Sequence, residues 1–229
     1  MSAALSRYLS QQAKLRDRDG REFAGCFNDS ALHAERAVVV VHDFLGLTPQ
    51  IRSVVSRLAD QRYVVFAPDL YRGRVASTRA EAVDLASHLA WNQVAVELGL
   101  AVSALAQRSA RMRIASMGFG MGGAAALVAA AAVPRLNAAV SFYGIPQDVV
   151  VENPGLRVQG HFAIRDTKCT GKRVAALQQS LCARGVASEI HSYDADNGFF
   201  SPLRPEAYSP ADAELAWVRT LHFLGSALA

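Results

Sequence analysis

Ile114-Ala115-Ser116-Met117-Gly118-Phe119-Gly120-Met121-Gly122-Gly123-Ala124 is the stretch on which the reading of this chain turns. An apolar, strand-like run ends in a cluster of glycines, and an Ala-rich helical segment, Ala124–Ala132, follows. Read one way, Gly118-x-Gly120-x-x-Gly123 is the dinucleotide fingerprint, since it follows a strand and opens a helix. That fingerprint also requires an acidic residue at the end of the next strand to hold a ribose. Here the next strand ends Ser141-Phe142-Tyr143-Gly144, with no carboxylate. Read the other way, Gly118 to Gly122 is a strand-to-helix elbow of the form G-x-Nu-x-G. Its flanking glycines permit a tight crossing. The central residue, Gly120, is then held at positive φ, and the next residue, Met121, turns its backbone N–H toward an oxyanion near the helix N-terminus.

Working outward, the same strand-then-helix unit recurs. Leu15–Asp29 carries Asp19-Gly20 between short apolar pieces and predicts a β-hairpin. Ala37–Asp43 is a continuous β-branched run, as in a strand buried on both faces. Thr48-Pro49 starts a helix, with Thr as N-cap and Pro at the first helical position. Arg62–Pro68 is a strand, and Thr78–Ala106 one long helical stretch. Arg113–Met117, Asn137–Tyr143, Leu156–Ile164 and Ala187–Tyr193 are further strands, with helices at Lys172–Arg184 and Pro210–Leu224. Alternation of this kind predicts an α/β fold with a mostly parallel central sheet and helices on both faces. No linker or repeat divides residues 1–229, so a single domain is expected.

Composition narrows the classes. With 229 residues, 51% hydrophobic and 19% charged, the chain is too apolar for disorder, and 16 Gly with 8 Pro exclude a collagen-like protein. No apolar run approaches the roughly 20 residues of a membrane span. Met1–Arg18 lacks the apolar core of a signal peptide. Three widely spaced cysteines, Cys26, Cys169 and Cys182, without a C-x-x-C pair, fit a reducing cytoplasm. The formal charge is +4, but only Lys14, Lys168 and Lys172 of the 24 basic residues are lysines, and the arginines are scattered. No basic run tracks a phosphate backbone, so neither a nucleic acid nor a membrane is expected as partner.

In parallel sheets, sites gather at the carboxyl ends of the strands. Four such ends stand out: His42-Asp43-Phe44-Leu45-Gly46, the glycine elbow, Arg165-Asp166, and Asp194-Ala195-Asp196-Asn197-Gly198-Phe199. Together with Ala67-Pro68-Asp69-Leu70-Tyr71, Phe142-Tyr143-Gly144, His161-Phe162 and Arg204-Pro205-Glu206-Ala207-Tyr208, in this order and spacing, the chain resembles the dienelactone hydrolase family. The resemblance implies the α/β-hydrolase fold and cofactor-free hydrolysis of esters and lactones by a Cys or Ser nucleophile, an Asp and a His. It places Asp166 as the triad acid, Phe44 and Met121 as oxyanion donors, and Asp43, Arg72, Tyr143 and Phe199 around the pocket.

Two positions depart from that pattern. The nucleophile position is Gly120, which has no side chain, and the histidine position is Asn197, which takes no proton near neutral pH. Asp43 stands where the family has glutamate, and the substrate-holding arginines of the namesake enzyme fall on Gly73 and Ser201. The expectation is therefore a triad-deficient, non-hydrolytic protein that binds a small apolar or lactone-like molecule, a protein partner or another copy of itself. The alternative is a hydrolase or lyase in which Asp166 or Asp43 acts as general base on water, without a covalent intermediate.

Other reactive side chains have plainer readings. Ser116 lies on the strand before the elbow, and Cys169 reads as a loop thiol. His42 is a hydrogen-bonded strand-end residue or a pocket residue, while His161 and His191 belong to strands. His33, His88 and His222 show no partner at metal-ligand spacing, so no metal is expected. Trp91 and Trp217 are expected in the core, and Phe199-Phe200 either there or at the pocket wall.

Overall fold

The computed structural model describes residues 11–16, 22–28, 34–147, 151, 153 and 155–229. The readings of Met1–Arg18, of the Asp19-Gly20 turn and of His33 lie wholly or partly outside these residues. The chain groups into two compact units that meet in sequence at Ile114 and Ala115.

In the first unit, β1 (Gln11–Arg16) pairs antiparallel with β2 (Glu22–Asn28), as the hairpin reading expects. β2 pairs antiparallel with β4 (Val64–Pro68), and β4 runs parallel to β3 (Arg36–Val41). Residues Ala37 to Val41 are all buried, which accounts for the unbroken β-branched run. Helix α1 (Pro49–Asp60) begins after Thr48 with Pro at the first turn, but the Thr48 side chain makes no capping bond; its backbone alone supplies the extended cap geometry.

The stretch Thr78–Ala106 is not one helix. It forms α2 (Arg79–Ser87) and α3 (Trp91–Ala106), bent by 86°. The break has a local cause: Ser87 Oγ donates to the Asp84 carbonyl at 2.7 Å and His88 Nδ1 bonds the same oxygen at 2.8 Å. These side chains occupy a carbonyl that the continuing helix would use. Thr78 caps α2 through a bond from the Glu81 N–H. Among the described residues no single helix is long and apolar enough to cross a membrane.

The second unit begins within β5 (Arg113–Phe119) and continues with α4 (Met121–Ala132), β6 (Ala138–Phe142), β7 (Arg157–Ala163), α5 (Gly171–Ala183), β8 (Ala187–Tyr193) and α6 (Pro210–Ala227). Its four strands are parallel, in the order β5-β6-β7-β8. The register puts Ser116, Ala139 and Val158 on one face, and the next residue of β7, Gln159, on the other. Ser116 Oγ donates to the Ala126 carbonyl of α4, whereas Gln159 reaches the Arg219 carbonyl of α6. The two helices therefore cover opposite faces of this sheet. Trp217 is buried, while Trp91, expected in the core, is 45% exposed at the first position of α3, where no turn precedes it to pack against.

Candidate active site

The elbow forms as its glycines require. A Cβ on Gly118 would lie 2.0 Å from the Gly122 oxygen, and one on Gly144 would lie 2.0 Å from the Gly120 oxygen, so only glycine allows β5, β6 and α4 to approach this closely. Gly120 itself differs. It sits at φ 54° and ψ −114°, yet a Cβ there would meet nothing nearer than the Tyr143 ring, at 3.8 and 3.9 Å. The chain makes a sharp strand-to-helix turn here, with room at its apex for a side chain. Its N–H donates to the Phe142 carbonyl at 2.8 Å, and Met121 opens α4, where first-turn N–H groups point out of the helix end.

The loop after β7 brings in Asp166, buried at 5% exposure. Its Oδ1 accepts from the backbone N–H groups of Lys168 (2.7 Å) and Cys169 (3.0 Å), which locks the carboxylate in one orientation. Its Oδ2 accepts from Asn197 Nδ2 at 2.7 Å. The two positions that the resemblance marks as triad acid and histidine are thus joined by a hydrogen bond, with an amide as donor. Asn197 Oδ1 in turn accepts from Arg204 Nη1 at 3.1 Å. Gly198, at φ 97°, is required beneath that guanidinium, because a Cβ would lie 2.3 Å from Nη1. The arginine leaves the amide one orientation: oxygen to Arg204, NH₂ to Asp166. Arg204 belongs to a quoted motif, but nothing local in the sequence links it to position 197.

Tyr143 follows β6 at φ 42°, unusual for a bulky residue. Its carbonyl accepts from Cys169 Sγ and, more weakly, from Asn197 Nδ2, each at 3.5 Å. Its ring meets Phe199 edge-on at 5.6 Å between centroids, and Phe199 is fully buried against Tyr193 at 4.8 Å. Phe200 joins Phe119, Phe142 and Trp217, so this aromatic pair belongs to the core beneath the loops. Arg173 ties the loops together by donating to the carbonyls of Ile145, Pro146 and Lys168.

Neither Ser116 nor Cys169 is placed as a substitute nucleophile. Ser116 is buried and bonded to α4. The Cys169 thiol is buried beside the Asp166 carboxylate, and desolvation first, then that charge, push it up to about 11. At neutral pH it is a thiol, not a thiolate.

The first unit carries its own strand-end cluster. Asp43 is buried, and its Oδ1 accepts from the Leu45 N–H at 2.9 Å. His42 is fully buried: Leu70 N–H donates to Nε2 (3.2 Å), so Nδ1–H donates to the Asp43 carbonyl (2.7 Å). Burial holds its imidazole below the usual histidine range. Tyr71 Oη donates to the Phe44 carbonyl, and burial with the nearby Asp43 charge pushes that phenol up to about 12. Arg72 makes a two-pronged ion pair with Glu97 of α3, a buried carboxylate that sequence reading does not single out.

His161 anchors a second polar network, away from the elbow residues in sequence. Its Nε2–H is shared between Gln159 Oε1 (2.9 Å) and Thr220 Oγ1 (3.0 Å), and Tyr193 Oη lies 2.7 Å from Nδ1. Thr220 donates its own proton to the Ala216 carbonyl, which leaves its oxygen to accept. Burial, with His191 and Arg219 nearby, holds His161 well below the usual range, so the ring is neutral. Among the described residues, no group of three or more His, Cys, Asp or Glu side chains converges as metal ligands do.

Comparison with known proteins adds four findings. Residues 24–228 match the model of the dienelactone hydrolase family. A protein of Escherichia coli provisionally named carboxymethylenebutenolidase is 30% identical over 204 residues, covering 81% of this chain and 75% of that one. Among solved structures, a provisionally named dienelactone hydrolase of Klebsiella pneumoniae superposes with a TM-score of 0.78 at 25% identity, over 94% of this chain and 97% of that chain. P91, a dienelactone hydrolase-like promiscuous phosphotriesterase from metagenomic libraries, gives 0.80 at 19% identity, over 94% and 98%, and speaks to the fold alone.

Proposed function

We propose that this chain, which belongs to the dienelactone hydrolase family and has its α/β-hydrolase fold, no longer hydrolyses esters through a covalent intermediate and instead binds a small apolar or lactone-like molecule. One observation carries the reading: Asn197 fills the histidine position, with its NH₂ on Asp166 and its oxygen on Arg204. An amide so held takes up no proton. Gly120, with no side chain to attack, is its counterpart at the elbow. Two absences at the two positions that acyl transfer needs are mutually consistent, since neither group works without the other.

The elbow also explains why such a site would persist without its nucleophile. Its backbone N–H groups and helix end still favour an oxygen with partial negative charge, and binding needs no proton transfer. Asp166 is a poor choice for general base in the alternative reading, because its carboxylate already accepts three hydrogen bonds. Its remaining task is to hold Asn197 and the loop after β7.

The test is turnover by the purified protein on a panel of activated esters, thioesters and lactones, beside a folded Asp166→Ala control. The reading expects no difference between the two. Turnover that Asp166→Ala abolishes would overturn it in favour of an enzyme with an aspartate base. Gly120→Cys combined with Asn197→His is expected to create esterase activity; a well-folded double variant inert on the whole panel would mean the site has diverged beyond its nucleophile and base.

A further inference from the structure

The outer edge of β8 is built to pair with itself. β7 pairs with β8 along one side through seven consecutive residue pairs without a bulge, and no described residue pairs with the other side. A strand residue points its N–H and C=O the same way, and neighbours alternate. The Tyr193 carbonyl accepts from the Ile164 N–H that follows β7, so residues 187, 189, 191 and 193 turn their backbone groups inward. Ser188, Ile190 and Ser192 therefore turn theirs outward. Edges of this length usually carry Pro, charged side chains, Lys above all, or a bulge that discourages pairing; β8 has no Pro, Lys or bulge, and Glu189 is its one carboxylate.

We propose that two copies of this chain associate through antiparallel β8–β8 pairing about a two-fold axis at Ile190. The outward residues dictate even-with-even hydrogen-bonded pairs, which leaves few registers. Centring on Ile190 sets Ser188 against the partner's Ser192, Ile190 against the partner's Ile190, and Glu189 against the partner's His191. The segment Ser-Glu-Ile-His-Ser is thus chemically self-complementary when read in reverse, as an isologous interface demands. Centring instead on Glu189 would set two carboxylates face to face, which the like-charge rule for cross-strand pairs disfavours.

The side chains are arranged for this pairing. Glu189 and His191 project on the same face of β8. His191 Nε2 lies 3.5 Å from Gln159 Nε2 and 3.9 Å from Oε2 of its own Glu189, so imidazole and carboxylate share the face on which the partner's pair would meet them. Glu189 accepts from Gln159 at 3.1 Å and from Arg157 at 3.5 Å, and a carboxylate retains further lone pairs for another donor. Ile190, on the opposite face, supplies the apolar contact across the axis.

Sedimentation of the full-length protein over a concentration series tests the inference. The wild type is expected to sediment as a dimer, and Ile190→Pro as a folded monomer. That substitution removes an outward N–H and no β7–β8 bond, and its melting transition checks the fold. His191→Glu sets carboxylates opposite each other at two symmetric places and should raise the dimer dissociation constant about tenfold. Glu189→Lys added to it restores opposite charges and should restore the dimer. In a Cys182→Ser background, Ile190→Cys should cross-link to itself under mild oxidation, since paired Cα atoms there lie about 5.5 Å apart. A wild type that stays monomeric throughout, or a dimer indifferent to Ile190→Pro and to charge exchange, would overturn the proposal.

Discussion

Replacing Gly120 by alanine separates what the elbow needs from what its packing needs. The structure assigns this glycine no steric reason to exist: a Cβ would touch only the Tyr143 ring, at 3.8 and 3.9 Å, which is ordinary contact. Its requirement is conformational, since φ 54° with ψ −114° is a combination that residues with a side chain rarely adopt. Such strain costs about 1–3 kcal/mol. Alanine also restricts the unfolded chain, which offsets the loss by about 0.4–1 kcal/mol. The net expectation is destabilisation by about 1–2 kcal/mol, or a fall in Tm of about 2–8 °C for a domain of this size. Gly118→Ala is the internal contrast. Its Cβ would lie 2.0 Å from the Gly122 oxygen, so backbone must move, at a cost above about 3 kcal/mol. Urea denaturation of the two variants beside the wild type measures both. Equal losses would refute the argument, because they would mean that position 120 is as sterically closed as position 118. No loss at Gly120 would refute it from the other side, by removing the strain that makes a side chain at the apex worth keeping only for chemistry.

Three further outcomes follow from the described contacts. Asn197→Asp replaces the NH₂ donor to Asp166 with a second carboxyl, so one of the pair is held above its ordinary range; the variant should be less stable than wild type at neutral pH and recover as pH falls and that carboxyl protonates, read as Tm against pH. His161 and His42 are held below the usual histidine range by burial, so the unfolded chain binds more protons than the folded one once pH drops beneath about 6.5. Stability should then decline by up to about 1.4 kcal/mol per pH unit for each ring, and His161→Gln should flatten the decline. Cys182, exposed on α5, should react with a thiol reagent in the native protein, whereas Cys26 and Cys169 should react only after unfolding. Labelling Cys169 as fast as Cys182 would contradict its burial.

The apex and the amide bear on one another. A triad distributes a single proton path over three residues, so removing its base leaves the nucleophile with strain and no task. Glycine at position 120 releases that strain while keeping the turn. Arg204 then acquires a consequence for any attempt to rebuild the chemistry. A histidine at 197 would sit between the Asp166 carboxylate and a guanidinium that now donates to the Asn197 oxygen. The two neighbours act on its protonation in opposite directions.

Short-range physics made much of this protein legible from its sequence. The buried β-branched run at Ala37–Val41, the Pro49 helix start and the glycine elbow depend on neighbours a few residues away, so pattern alone identified them. That position 120 is glycine and position 197 asparagine is likewise a matter of residue identity, and needs no coordinates. Tertiary structure decided what depends on distant partners. It paired Arg72 with Glu97 and set Arg204 on the Asn197 oxygen. It also turned Cys169 from a loop thiol beside the acid into a buried, inert one. Residue type states what a group can donate, accept or titrate. Only the packing around it states which of these it does, because burial and the nearest charge are set by segments far away in the chain.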